Sequence, residues 1–242
     1  MTPRALIWDV DGTIAETERD GHRAAFNAAF EQMGLPWRWD VALYGHLLQV
    51  TGGRERLLHD MAGRPDAPAG EERNALAREL HRRKNAIYQD LVNARGIPAR
   101  PGVLRLMREC TEAGVMMAVA TTTSRGNVAA LMEGLLGSGW GRRFEAVLCA
   151  EDAPMKKPHP QVYELALQRL AVAPQQAFAL EDSPNGLKAA RAAGIACGIT
   201  RSAYFEDAVF EGAAWVRGHL DEDPTMTLSR LMSESAGTIA VS

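Results

Sequence analysis

The first apolar run of the chain, residues 4–9 (Arg-Ala-Leu-Ile-Trp-Asp), is short, continuous and closed by a Gly-containing loop. That is the pattern of a strand buried on both faces. From about Thr17 to about Asn93 the period becomes helical. Phe26, Phe30 and Met33 recur on one face with Ala25 and Ala29 beside them, and Leu76, Leu80, Ile87 and Leu91 mark a second long helix. Between them, residues 63–70 (GRPDAPAG) read as a loop. Trp37-Arg38-Trp39 reads as the start of a further helix whose aromatics pack within this segment. After the Gly/Pro-rich stretch 96–102, strands and helices alternate. Strands are predicted at 115–120, 146–149, 177–180 and 195–199, and helices at 127–136, 161–170 and 186–193.

Such alternation signals right-handed βαβ units on a parallel sheet, and the first strand must join that sheet because a lone strand cannot stay unpaired. The predicted fold class is α/β: a Rossmann-like, doubly wound parallel sheet core over residues 1–16 and 94–242, with a helical cap domain inserted over 17–93. Residues 235–242 read as a tail.

Composition narrows the function classes. The chain has 242 residues, 46% hydrophobic and 24% charged, with a formal net charge of -3. This is ordinary globular composition and argues against a nucleic-acid coat. No apolar stretch reaches the roughly 18 residues a membrane helix needs, and the immediate entry into a strand leaves no room for a signal peptide. Cys110, Cys149 and Cys197 are widely spaced with no C-x-x-C, which reads as buried thiols in a reducing cytoplasm.

In doubly wound sheets, ligands bind outside the carboxyl ends of the strands. The residues just past the predicted strands are Asp9 and Asp11, Thr121, the Lys156-Lys157 loop, and Glu181 and Asp182. Asp9 and Asp11 lie two apart, so in extended chain they face one small space and require a cation between them. A calcium loop needs Gly at position six and Glu at position twelve, but counting from Asp9 those are Ile14 and Asp20. Mg2+ fits better, with Asp182 as a second carboxylate and Glu181 turned away or reaching the metal through water. Lys157, held extended before Pro158, can neutralise phosphoryl oxygens. The Thr121 hydroxyl and the N–H groups entering the next helix make a cradle for an anion. These parts suit phosphoryl transfer. No Walker A, G-x-S-x-G or H-E-x-x-H motif is present, which leaves a carboxylate as nucleophile. Asp9 is that candidate and Asp11 its acid/base partner.

Asp9-Val10-Asp11-Gly12-Thr13, Thr121, Lys157-Pro158 and Glu181-Asp182 together resemble the four motifs of the haloacid dehalogenase superfamily of phosphotransferases, in the right order and strand contexts. The resemblance implies that the Asp9 and Asp182 carboxylates and the Asp11 backbone carbonyl hold Mg2+. Finer features are similar to the CbbY branch, which groups with β-phosphoglucomutase: Glu18 and His22, the Gly52-Gly53 loop, and the run Ala120-Thr121-Thr122-Thr123-Ser124. That branch implies a phosphatase acting on xylulose 1,5-bisphosphate, an inhibitor of Rubisco. Arg54 and Lys84 match cap positions that hold the non-transferring phosphate in β-phosphoglucomutase, and Ser124, Arg125 and Asn127 fall on the core side of that site. The expected partner is a small phosphorylated sugar, with neither nucleic acid nor membrane, and the chain is expected to be cytoplasmic and monomeric. The spacing leaves a sugar phosphomutase and a non-catalytic phospholigand-binding module as alternatives.

Overall fold

Side chains alternate between large and small along the central strands. In β1 (Ala5–Trp8), Leu6 and Trp8 face one way and Ala5 and Ile7 the other. In β2 (Met116–Ala120) and β4 (Ala177–Glu181), Met117, Val119, Phe178 and Leu180 share the first face, while Ala118, Ala120, Ala177 and Ala179 share the second. Both faces are covered, as a wholly parallel sheet requires. The computed structural model describes residues 3–237, so the expected tail falls outside the described residues from position 238 on.

With β3 (Ala146–Leu148), β5 (Ala196–Thr200) and β6 (Trp215–Arg217), the strands form one six-stranded parallel sheet in the order β3-β2-β1-β4-β5-β6. Helices α5 (Val103–Ala113), α6 (Arg125–Leu136) and α9 (Leu228–Gly237) contribute to the large-residue face. Helices α7 (Gln161–Leu170) and α8 (Pro184–Ala192) pack on the alanine-rich face. The sheet order reverses at β1, which pairs with both β2 and β4. A reversal of this kind opens a crevice at the carboxyl ends of the strands. The α/β doubly wound fold expected from the alternation is therefore the fold observed.

Between β1 and β2 the chain runs through a π-helical turn at Glu18–His22 and then through α1 (Arg23–Gln32), α2 (Val41–Leu47), α3 (Gly53–Ala62) and α4 (Gly70–Arg95). Their apolar faces close on a cluster of their own around Phe26, Phe30, Trp39, Tyr44, Leu57 and Leu80. Trp37-Arg38-Trp39 does not begin a helix, contrary to the sequence expectation. Asp40 is the N-cap of α2, its Oδ1 accepting from the Leu43 N–H at 2.8 Å. The Asn27 side chain takes both main-chain groups of Trp39, at 2.7 and 2.8 Å, and so holds that residue extended. Trp37 and Trp39 are nevertheless packing residues, and their indole N–H groups donate to Asp66 and Asp60. The sequence reading assigned no element to α5, β6 or α9, and positions 235–237 of the expected tail belong to the end of α9. In α5 the signal was present, since Val103, Leu106, Met107 and Cys110 are buried at helical spacing. β6 is a three-residue edge strand with only one alternation to read.

Candidate active site

Asp9 follows β1 directly, and its main-chain N–H continues the ladder to the Leu180 carbonyl at 3.0 Å. This delivers its carboxylate, 7% exposed, to the crevice beside Asp182 at the end of β4. Lys157 reaches in from the β3–α7 loop, where its peptide bond to Pro158 is cis. Its ammonium donates to Asp9 Oδ1 at 2.7 Å, Glu181 Oε1 at 2.6 Å and the Ala120 carbonyl at 2.8 Å, which uses all three protons.

Glu181 does not line the cavity. It is fully buried beneath it, accepting from Lys157 and, at 2.7 Å, from the Tyr163 hydroxyl. A Cβ at Gly186 would collide with its carboxylate, so the first turn of α8 needs glycine there. Gly12 has φ of +87°, and a Cβ on it would run into the Asp182 carboxylate. The glycine of D-x-D-G-T thus permits both a left-handed turn and the approach of the second strand-end acid.

Asp9, Glu181 and Asp182 offer oxygens all within 4.8 Å of one another. Three carboxylates against the single Lys157 ammonium leave excess negative charge in a buried place. Burial, reinforced by Glu181 and opposed by Lys157, pushes the Asp9 carboxyl up to about 8. Burial, with Asp9 and Glu181 nearby, raises Asp182 well above the carboxylate range. A donor set of hard oxygens with unbalanced negative charge fits a divalent cation.

Asp11 meets different company. Its Oδ1 accepts from the Thr17 hydroxyl at 2.5 Å and lies 2.9 Å from His22 Nε2. Burial would raise its pKa, but His22, Thr123 and Thr17 outweigh burial and hold it well below the carboxylate range. The other ring nitrogen of His22 lies 2.8 Å from Lys84 Nζ, and the ring stacks on Tyr88 with centroids 4.1 Å apart. An ammonium donating to Nδ1 makes Nε2 the protonated nitrogen, so His22 donates to Asp11. Lys84 is only 4% exposed, and burial brings its pKa down to about 8 despite Glu18 and Asp11.

These groups line one cavity of about 90 Å3 between the strand ends and helices α1–α4. Glu18, whose carboxylate accepts from the Tyr44 hydroxyl at 2.5 Å, lines it too, as do Gly52, Gly53, Thr121, Thr122 and Asn127. Thr121 Oγ1 accepts from the Thr123 N–H at 3.2 Å, and Asn127 donates to Asn85 at 3.0 Å across the gap between α6 and α4. Ser124, the N-cap residue of α6, also lines the cavity, and its buried hydroxyl has no hydrogen-bond partner among the described residues.

Arg54 and Arg125 stand outside this lining. Arg54 is exposed, and Arg125 turns its guanidinium to Asp152 at 2.5 Å. The arginine of α3 that faces inward is Arg56, which donates to the Tyr44 hydroxyl at 3.0 Å. The sequence reading also passed over Thr17, Asn85, Asn185 and Ser202. Asn85 and Asn185 sit next to or within the quoted motif regions, whereas Ser202 has no positional signal at all.

Known proteins resemble this chain over most of its length. The family described as haloacid dehalogenase-like hydrolase matches residues 3–194. The chain is 45% identical over 221 residues to Protein CbbY (plasmid) of Cupriavidus necator, covering 90% of this chain and 86% of that one. It is similar to the crystal structure of CbbY from Rhodobacter sphaeroides in complex with phosphate, at a TM-score of 0.86 and 38% identity, over 92% of this chain and 96% of the other. A mutant of that CbbY, solved with xylulose-(1,5)bisphosphate, superposes equally well. β-Phosphoglucomutase from Clostridium difficile shares the fold at a TM-score of 0.77 and 19% identity, over 99% of this chain and all of the other.

Proposed function

The chain belongs to the haloacid dehalogenase-like hydrolases and is a phosphoric monoester hydrolase, and from that premise we propose that it removes one phosphate from a small sugar bisphosphate, with xylulose 1,5-bisphosphate the foremost candidate. The observation that carries this reading is a cavity polar at both ends. Asp9, Asp182 and Lys157 stand at the strand ends, and Lys84 with the unpartnered Ser124 hydroxyl stands toward α4 and α6. The CbbY structure with xylulose bisphosphate supports the choice of sugar.

In this reading Mg2+ is held by the Asp9 and Asp182 carboxylates and the Asp11 carbonyl. When bound, it neutralises charge on the phosphoryl oxygens. Asp9 attacks phosphorus, the bond from phosphorus to the sugar oxygen breaks, and an aspartyl-phosphate forms. Asp11 moves the protons: ionised in the free protein, it takes one up as the negative phosphate arrives beside it, gives that one to the leaving sugar oxygen, and later takes one from the water that frees the phosphate. Lys157 keeps Asp9 oriented and opposes the rise in its pKa, and bound Mg2+ would complete its ionisation. Thr121 and the neighbouring N–H groups receive the phosphoryl oxygens, while Lys84, Ser124 and Asn127 face the distal phosphate. Helices α1–α4 act as a cap over the reaction.

Phosphate release measured over ketose and aldose mono- and bisphosphates, with and without Mg2+, tests the proposal. The expected result is Mg2+-dependent release with bisphosphates preferred by at least about tenfold, equivalent to roughly 1.4 kcal/mol. Strong preference for a monophosphate would remove the distal-site roles. Asp9→Asn should abolish turnover with the circular dichroism spectrum unchanged, and retained activity would dismiss Asp9 as nucleophile. Isomerised sugar phosphate without free phosphate would mark a mutase.

A further inference from the structure

Arg100 lies outside the catalytic cavity, on the linker by which the chain returns from α4 to the sheet, just after Ala99 bridges to Ala15. Only 9% exposed, it sends its guanidinium to four carbonyls on three separate stretches of main chain. Nη1 donates to the Gly12 carbonyl, to the Thr200 carbonyl at 2.9 Å and to the Thr200 hydroxyl at 3.1 Å. Nη2 donates to the Arg201 carbonyl and, at 2.7 Å, to that of Gly218. Its Nε lies 3.4 Å from Glu16 on the outgoing linker, and that carboxylate is 40% exposed. A buried guanidinium met chiefly by carbonyls is an expensive fixture for a generic fold contact.

What it fixes lies next to the strand-end acids. Gly12 follows Asp11, and the 200–201 main chain leads into Ser202, whose buried hydroxyl donates to Asp182 Oδ2 at 2.6 Å. Gly12, Asp182 and Ser202 meet at one point, since a Cβ on Gly12 would touch both the Asp182 carboxylate and, at 3.1 Å, Ser202 Cβ. The rigid, forked geometry of arginine can hold two loops in register, which a point charge cannot do.

We propose that Arg100 is a positioning residue of the metal site: its guanidinium clamps the Gly12 carbonyl and the Thr200–Arg201 main chain, so that Ser202 holds the Asp182 carboxylate where Mg2+ takes it. This rests on the reading that Asp9 and Asp182 bind Mg2+. Hydrogen-bond partners behind a metal ligand typically govern affinity by 10- to 100-fold.

Calorimetric titration of Mg2+ into the purified protein provides the test. Arg100→Lys keeps the charge and loses the fork, and should weaken Mg2+ binding by about tenfold, as should Ser202→Ala. Because both act through Asp182, the double variant should bind little worse than the weaker single one. A residue that merely supports the fold would lower Tm and leave Mg2+ affinity alone. Parental affinity in Arg100→Lys, or full additivity in the double variant, would overturn the proposal. Arg100→Met should lose more than Arg100→Lys, and if it fails to fold the other two variants decide. Failure of the parent protein to bind Mg2+, or undiminished binding by Asp182→Asn, would instead sink the metal reading beneath it.

Discussion

Burial acts on Asp9 and Asp11 alike, yet the two carboxylates end far apart. Asp9 shares its space with Glu181 and Asp182, and one lysine cannot balance all three, so it is raised to about 8. Asp11 has turned toward His22 and Thr17 and stays ionised. A group whose pKa is raised on folding stabilises the fold fully below its unfolded value, near 3.8, and that contribution is lost as pH rises through about 8. Asp182, also raised, has the same sign. The lowered Asp11 has the opposite sign, but its window lies below the ordinary carboxylate range. Between about pH 5.5 and 8 the metal-free protein should therefore lose stability from this cluster. Mg2+, which replaces the protons, should restore it. The expected result is a Mg2+-induced rise in Tm that grows from pH 5.5 to pH 8 and shrinks in Asp9→Asn. A rise of equal size at both pH values would contradict the raised Asp9.

At the scale of elements, the start of α8 separates two kinds of support. Ser183 is its N-cap, accepting from the Gly186 N–H at 3.0 Å, and Pro184 occupies the first turn. Ser183→Ala should cost about 1 kcal/mol of stability and leave catalysis nearly intact. Gly186→Ala should behave differently. Its methyl would strike Glu181, the residue that holds Lys157, so phosphate release should fall by more than tenfold while the helix itself gains propensity. Urea unfolding and kcat measured together check the pair. Equal activity in the two variants would mean that Glu181 does not steady Lys157. The same elements show what the sequence could reveal. D-x-D-G-T and Glu181-Asp182 are legible because strand ends in a parallel sheet gather by rule. Arg54 rests on a likeness to a cap position of β-phosphoglucomutase, and spacing within a short helix does not itself say which side faces inward. Two positions on a helix differ by about 200°, so one of Arg54 and Arg56 had to face away. Ser202 and Arg100 were not legible, since their partners lie 20 and 88 residues distant and only the folded sheet brings them together.

Across the whole molecule, helices α1–α4 and the rest of the chain around the sheet touch on opposite sides of the cavity. One side is the linker region and the α4–α6 contact through Asn85, Gln89 and Asn127. On the other side the contacts are few. Asn185 in α8 donates to the Gln49 carbonyl at 3.2 Å and to the Thr51 hydroxyl at 3.0 Å. Tyr204 lies against Tyr44, with centroids 5.7 Å apart, and against Gly45, where a Cβ would come within 2.9 Å of its ring. Phe205 lines the cavity while packing on the cap's apolar cluster. A cavity of about 90 Å3 holds several waters, so under the proposed function a sugar bisphosphate would enter as helices α1–α4 shift away from the sheet. The sparse side is the one that can part, because few contacts there resist separation. Asn185→Ala removes two hydrogen bonds, worth about 1–3 kcal/mol together, from the closed arrangement alone. Global unfolding should shift little, since neither domain's core is touched. KM should rise several-fold as closure becomes less favourable, and kcat should hold or increase if reopening limits product release. Steady-state kinetics with the preferred bisphosphate read this directly. An unchanged KM with a lowered kcat would place Asn185 in the chemistry instead of in the closing of the cap.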